Sequence, residues 1–280
     1  QVSDQYRRIR NTFRFIMGNL NDFDEKSNNV NKNDLVEIDK WIISEAIKLH
    51  EEVQKLNDNY AYHHVIQKIH NFCVHELGGV YLDIIKDRMY VTKSNSYARR
   101  SAQFALFEVA EILIRLISPI LVFTAEEIWQ SHELFKKQSV SIFMASQKVL
   151  SEIESSISDE DWKKIFAVKD AVNQSIEKAR ADSVIKGSLD SKISISCDKK
   201  TFKALQKIED ELKFVFISSE VEIAESSSSG LDIEVTNFDQ KKCIRCWNKC
   251  SSVGLYAEDP EICSRCYTNV YGDGEIRKFV

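Results

Sequence analysis

Proline is almost missing from this chain: two occur in 280 residues, alongside only eight glycines. So few backbone breakers argue against a sandwich of short strands and suit long helices. Apolar runs of the ~20 residues needed to span a bilayer are also missing, and no signal-peptide pattern opens the chain. No initiator Met is present either. The chain opens on Gln1 and is expected to be a piece of a longer protein. No glycine-rich phosphate loop and no Ser/His/Asp or Cys/His arrangement can be read, so no active site is legible. A strong charge of one sign is absent: the net charge is −5, which does not mark out a nucleic-acid binder. Overall charge is a weak guide, however, because steering depends on local distribution.

What is present is ordinary in bulk, with hydrophobic residues at 43% and charged residues at 29%, as in soluble globular proteins. The length allows two or three domains. Seven cysteines without a secretory signal point to a reducing compartment, with thiols that are free or metal-bound.

One stretch commits to a chemistry. Cys243-Ile-Arg-Cys246-Trp247 and Cys263-Ser-Arg-Cys266 form two C-x-x-C pairs separated by sixteen residues. That spacing marks a four-thiolate zinc site. Each turn places two sulfurs around a common point, and two turns complete a tetrahedron. Four Cys leave no open coordination position, so the zinc is structural. A segment of about forty residues with few large apolar side chains folds on the free energy of the bound metal. Cys250 is the competing ligand, left outside because a closed site takes four. Cys73 on a helix stripe and Cys197 in a strand read as small buried hydrophobes.

Before that stretch, helical spacing dominates. Residues 4–20 place Ile9, Phe13, Ile16 and Leu20 on one face and Arg7, Arg10, Asn11 and Arg14 on the other. The arginine face has two readings: a phosphate-binding surface, or a solvated face paired to acids of neighbouring helices. A loop is expected over 21–33. Further helices follow at about 34–57, 62–77, 81–90 and 96–117, and another begins near Pro119 and runs through Phe123, Ile128 and Trp129. Gly78-Gly79 is expected to interrupt the pattern. Short connections between long amphipathic helices imply an antiparallel bundle.

Residues 132–157 read as a Ser-rich polar linker. Ser158 opens a capped helix through Trp162, Ile165, Val172 and Ala179. Residues 192–197, 221–223 and 231–235 alternate like strands, with a helix at 202–216 and the run Ser226 to Ser229 before the last strand. The expected fold is therefore mainly α: a bundle over 1–131, a linker over 132–157, a small α/β unit over 158–236 and a zinc ribbon over 237–280. Glu220, Glu222, Glu225, Asp232, Glu234 and Asp239 form a stretch without a basic residue. His63, His64, His70 and His75 are not spaced as helix-face ligands. His75-Glu76 opens like H-E-x-x-H, but Gly79 stands at the second His position. Asp83, Lys86, Asp87 and Arg88 are expected to pair locally.

Three further stretches are distinctive together: YRRIRNTFRFIMGNL at 6–20, YLDIIKDRMY at 81–90 and PILVFTAEEIW at 119–129. They resemble the anticodon-binding bundle of class I aminoacyl-tRNA synthetases. VNQSIEKARADSVIKGSLDSKI at 172–193 is similar to the junction that follows this bundle in bacterial isoleucyl-tRNA synthetases. The ending CIRCW…EICSRCYTNVYGDGEIRKFV is similar to their zinc module, which a group of DNA-repair glycosylases shares. The resemblance covers essentially the whole chain in the same order. Valyl and leucyl relatives share the bundle, but the zinc ending favours the isoleucyl family.

The resemblance implies the C-terminal part of a ligase that joins isoleucine to its tRNA with ATP, in a cytoplasmic monomer. The family's H-x-G-H and K-M-S-K-S motifs do not occur here, so ATP belongs to a catalytic domain outside this segment, which is expected to be inactive alone. The expected cofactor is one structural Zn2+ on Cys243, Cys246, Cys263 and Cys266. The expected partner is tRNA, contacted by Arg7, Arg10, Asn11, Arg14, Arg245, Trp247 and Arg265. Trp247 follows the second Cys directly and has two readings, a stacking platform for an unpaired base or packing against the ribbon. A competing function is a free-standing zinc ribbon that binds duplex DNA.

Overall fold

The computed structural model describes residues 2–24, 30–146, 148–226 and 230–280. Part of the expected 21–33 loop and most of the 226–229 serine run lie outside these residues. Two compact units divide the chain: Gln1–Ile85 with Tyr97–Ser155, and Lys86–Ser96 with Ser156–Val280.

The first unit is helical. Helix α1 (Val2–Asn19) buries Ile9, Phe13 and Ile16 completely, with Leu20 beyond its end, so the stripe read from spacing faces the core. Helices α2 (Glu37–Asp58) and α3 (Tyr62–Phe72) follow. The interruption expected at Gly78-Gly79 does not occur. A wide π-turn, Cys73–Tyr81, instead joins α3 to α4 (Leu82–Val91) without a break. A Cβ on Gly78 would lie 3.0 Å from the Cys73 carbonyl oxygen, and one on Gly79 3.3 Å from that of Val74. The glycines are therefore what lets the helix widen.

Helix α5 (Tyr97–Ile117) is buried nearly all round, which makes it the central helix of the unit. Pro119 lies in the turn before α6 (Val122–Ser131) and not within its first turn. Phe123, on this helix, is 90% exposed, whereas Ile128 and Trp129 are buried. Residues 132–146 and 148–155 hold short helix α7 (Glu133–Lys136) and belong to this unit: Phe135 stacks on Phe107 at 5.6 Å, Ile142 is buried, and Lys148 pairs with Glu108 at 2.9 Å. The polar composition of this stretch hides a few anchoring side chains.

In the second unit, the Ser158 hydroxyl accepts a hydrogen bond from the Asp161 N–H at 3.2 Å and starts α8 (Asp159–Ala181). Strand β1 (Ser191–Cys197) lies between β2 (Glu220–Glu225), parallel to it, and β3 (Asp232–Asn237), antiparallel. Ile193 registers with Val221 and Val235, and Ile195 with Ile223 and Ile233, so one face of the sheet is apolar. The crossover expected as one helix is split into α9 (Lys199–Gln206) and α10 (Leu212–Phe216) by a 3-10 turn at Glu209–Glu211. That break turns the Glu211 carboxylate onto three consecutive backbone N–H groups, those of Lys278, Phe279 and Val280, at 2.7–3.1 Å. Among the described residues, no helix is long and apolar enough to cross a membrane.

Candidate metal centre and nucleic-acid interface

The first cysteine pair sits in a tight hairpin knuckle. Lys242 and Lys249 form an antiparallel bridge, the Cys243 N–H donates to the Asn248 carbonyl at 2.9 Å, and the Trp247 N–H donates back to the Cys243 carbonyl at 2.9 Å. Closing so short a loop forces Trp247 to φ 65, a left-handed conformation that side chains with Cβ seldom adopt. The second pair sits at the start of α11 (Ser264–Tyr271), with Cys263 as its N-cap and Cys266 in the first turn. Backbone N–H groups at a helix start favour thiolates there.

The four sulfurs meet. Cys243 and Cys266 are 3.7 Å apart, as are Cys246 and Cys263, and all four lie within 4.8 Å of one another. Zn–S bonds of about 2.3 Å place tetrahedral sulfurs about 3.8 Å apart, so the cluster has the size a zinc ion requires. A divalent ion binds such a cluster with its thiols deprotonated, so uptake of the metal releases protons. All four cysteines are buried, in a small core with Val91, Val253 and Ile262. Cys250 stands outside the cluster, half-buried, with its sulfur 3.3 Å from the Ser252 hydroxyl. Cys73 and Cys197 are buried at 3% and 1% exposure.

The side chains expected on RNA divide into two groups. Arg7 is exposed and pairs with Asp4 at 2.5 Å, within its own helix. Arg14 and Asn11 are exposed, and neither has a hydrogen-bond partner among the described residues. Trp247 is 63% exposed. The others have partners in the protein. Arg10 donates both guanidinium nitrogens to Glu127 at 2.7 Å. Arg245 donates to the Val91 carbonyl at 2.6 Å. Arg265 holds Asp87 in a bidentate pair at 2.6 and 2.8 Å and reaches Glu275 at 3.2 Å.

Within the charged run at 83–88, Asp87 departs from the expected local pairing. Its partners are Arg265, 178 residues away, and Arg277, 190 away at 2.8 Å. Burial alone would raise the Asp87 carboxyl; the hydrogen bond and charge of Arg265, with the charge of Arg277, outweigh that and hold it below the ordinary range. Arg277 lies over the Phe214 ring at 3.2 Å and donates to Glu275 at 3.0 Å. Asp87, Phe214, Glu275 and Arg277 were not legible as a group. The one signal is the charge density of YLDIIKDRMY, which carries no information about distant partners. Lys93 adds two more tethers, from its backbone N–H to Asn269 at 3.2 Å and from its ammonium to the Gly272 carbonyl at 2.8 Å.

The fold and the site define a mainly α chain closed by a four-thiolate ribbon. Residues 39–195 match the family described as the anticodon-binding domain of tRNA ligase, and residues 240–269 match the zinc finger found in FPG and IleRS. The chain belongs to the anticodon-binding domain family of tRNA ligases. It is 41% identical over 293 aligned residues to the isoleucine–tRNA ligase of Alcanivorax borkumensis, an alignment covering 100% of this chain and 31% of that protein. It is 42% identical to the isoleucine–tRNA ligase of Pseudoalteromonas translucida, covering 99% of this chain and 30% of the relative. The chain thus spans under a third of the length of these relatives, at their C-terminal part. The zinc-finger match and the four-Cys cluster together support one structural zinc site.

Proposed function

We propose that this chain is the tRNA-recognising part of an isoleucine–tRNA ligase. The observation that carries the reading is the full-length match to ligases of that name, through both the anticodon-binding family and the zinc finger. The bundle over 1–131 and the ribbon over 237–280 act on the anticodon stem and loop, and the α/β unit over 158–236 joins them. Cys243, Cys246, Cys263 and Cys266 hold the zinc, which keeps the knuckles folded and performs no chemistry. Joining isoleucine to tRNA with ATP belongs to the whole ligase, in the cytoplasm and as a monomer.

The partners in the structure redistribute the RNA contacts. Arg14, Asn11 and Trp247 keep free polar or aromatic surface, and Arg7 has only an exposed partner whose pairing is weak in water. Arg10 reaches RNA only by leaving Glu127, and Arg245 and Arg265 act by holding Trp247 and the knuckles in place. Phosphate contacts position the stem, and stacking on Trp247 selects an unpaired base.

Filter binding with isoleucine tRNA, a noncognate tRNA and duplex DNA, across a salt series, tests this. Isoleucine tRNA is expected to bind best and to weaken steeply with salt. Arg14→Met should reduce the salt slope by about 0.7–0.9. Trp247→Ala should cost about 1–3 kcal/mol. Salt-independent binding refutes the arginine assignment. Preference for duplex DNA refutes tRNA recognition in favour of a zinc-ribbon DNA module, the reading suggested by the other half of the zinc finger's description.

A further inference from the structure

The first unit contains a cavity of about 580 Å³ that the tRNA reading does not use. It lies between α2, the C-terminal half of α5 and residues 142–146 and 148–150. Its volume falls in the range of small-molecule sites, about 300–1,000 Å³. Ile112, Ile142, Phe143 and Leu150 supply apolar lining.

Arg115 lines the same cavity, one helical turn after Ile112 on α5. Its side chain is only 18% exposed, and its guanidinium lies 5.2 Å from the Trp129 ring. Its polar contacts are all long: Glu111 carboxylate at 3.1 Å, Ser146 carbonyl at 3.3 Å and Glu111 carbonyl at 3.5 Å. Arg10 and Arg265, by contrast, hold their carboxylates in bidentate pairs at 2.6–2.8 Å. The partner of Arg115 is also shared. Glu111 pairs with Lys148, Lys148 with Glu108 and Glu108 with Lys32, so three cations divide two carboxylates among the described residues. Burial pushes Arg115 down from its ordinary value, as desolvation of an incompletely paired cation does. A desolvated, loosely bonded guanidinium in a cavity with apolar lining is the arrangement that recognises an anionic headgroup on an apolar body.

We propose that this cavity is a binding site for an amphipathic monoanion, a carboxylate with an aryl or alkyl tail. Arg115 takes the carboxylate, and Ile112, Ile142, Phe143 and Leu150 take the tail.

The test is calorimetric titration of the zinc-loaded 280-residue chain with 4-phenylbutyrate, with 4-phenylbutan-1-ol and with inorganic phosphate. 4-Phenylbutyrate should bind saturably and at least tenfold more tightly than the alcohol, and phosphate alone should not bind. Arg115→Met should abolish the preference for the acid over the alcohol. Ala145→Trp, which fills the cavity from an exposed segment, should block both. The proposal is overturned by no saturable binding of 4-phenylbutyrate up to 10 mM, by equal binding of acid and alcohol, or by an unchanged preference in Arg115→Met. Binding that survives Ala145→Trp also overturns it. Helical circular dichroism of each variant separates a lost site from a lost fold.

Discussion

Replacing Asp87 by Asn removes one negative charge and keeps the side-chain shape. In the native network Asp87 and Glu275 serve Arg265 and Arg277, whose side chains are 16% and 3% exposed. The variant leaves two buried guanidiniums with one carboxylate. Breaking a buried pair by removing one partner costs about 3–5 kcal/mol. Asn retains an acceptor for one guanidinium, which places the expected cost near the lower end, about 3 kcal/mol. Domain stabilities are typically about 5–15 kcal/mol, so the loss is a large share. At about 1.4 kcal/mol per tenfold, amide protection in the second unit should fall about 100-fold. Hydrogen exchange read by peptide mass spectrometry measures each unit separately, which a single melting curve for a two-unit chain does not. Residues 159–225 and 264–280 should lose protection together, while 2–20 and 37–58 keep theirs. A change below about fivefold would refute the reasoning, because it would mean that water already screens the network. Replacing Asp87, Arg265, Glu275 and Arg277 together by apolar residues of similar volume should recover much of the loss, since the penalty lies in the orphaned charge.

Other outcomes follow from the same structure. Cys243→Ser or Cys266→Ser should lose about one zinc per chain by elemental analysis. It should also deprotect residues 86–96 along with 240–271, because Val91 belongs to the zinc core and Arg245 holds its carbonyl; Cys250→Ser should keep the metal. Hydrogen bonds from Arg99, against partial burial, hold Asp22 down to about 2, below its ordinary 3.8. A depressed carboxylate stabilises the fold above its unfolded pKa, and that contribution is lost as pH falls from about 4 toward 2. Asp22→Asn should therefore flatten the acid loss of the first unit in that window, followed by circular dichroism. Gly274 has φ 90, and a Cβ there would meet that of Lys93 at 3.2 Å; Gly274→Ala should cost about 1–2 kcal/mol and lower amide protection in the second unit, read by hydrogen exchange.

Much of this protein was legible because its information is local. The stripe Ile9, Phe13, Ile16 and Leu20 faces the core because helical spacing puts those residues on one side, whatever the neighbours are. Alternation at 192–197 gave the central strand, and Ser158 gave the start of α8. The two C-x-x-C pairs specified the four-sulfur cluster, because each knuckle fixes its own two sulfurs and only one further contact has to form. Where local signals were overruled, geometry did it. The two glycines at 78 and 79 widen a helix instead of ending it, and the polar stretch at 132–157 is anchored by Phe135, Ile142 and Lys148.

What only the tertiary structure decided is which charges are free. An arginine on an exposed helix face reads the same in sequence whether it meets phosphate or a carboxylate far along the chain. Arg10 has Glu127, 117 residues on, and Arg265 has Asp87, 178 residues back. Arg14 keeps its surface. Coulomb attraction acts through space and desolvation depends on what covers a side chain, and neither quantity has a period along the chain. Spacing therefore determined the buried helix stripes, the strand segments and the metal knuckles. Folding alone determined that Arg265 braces the zinc ribbon and that Trp247 is left exposed beside it.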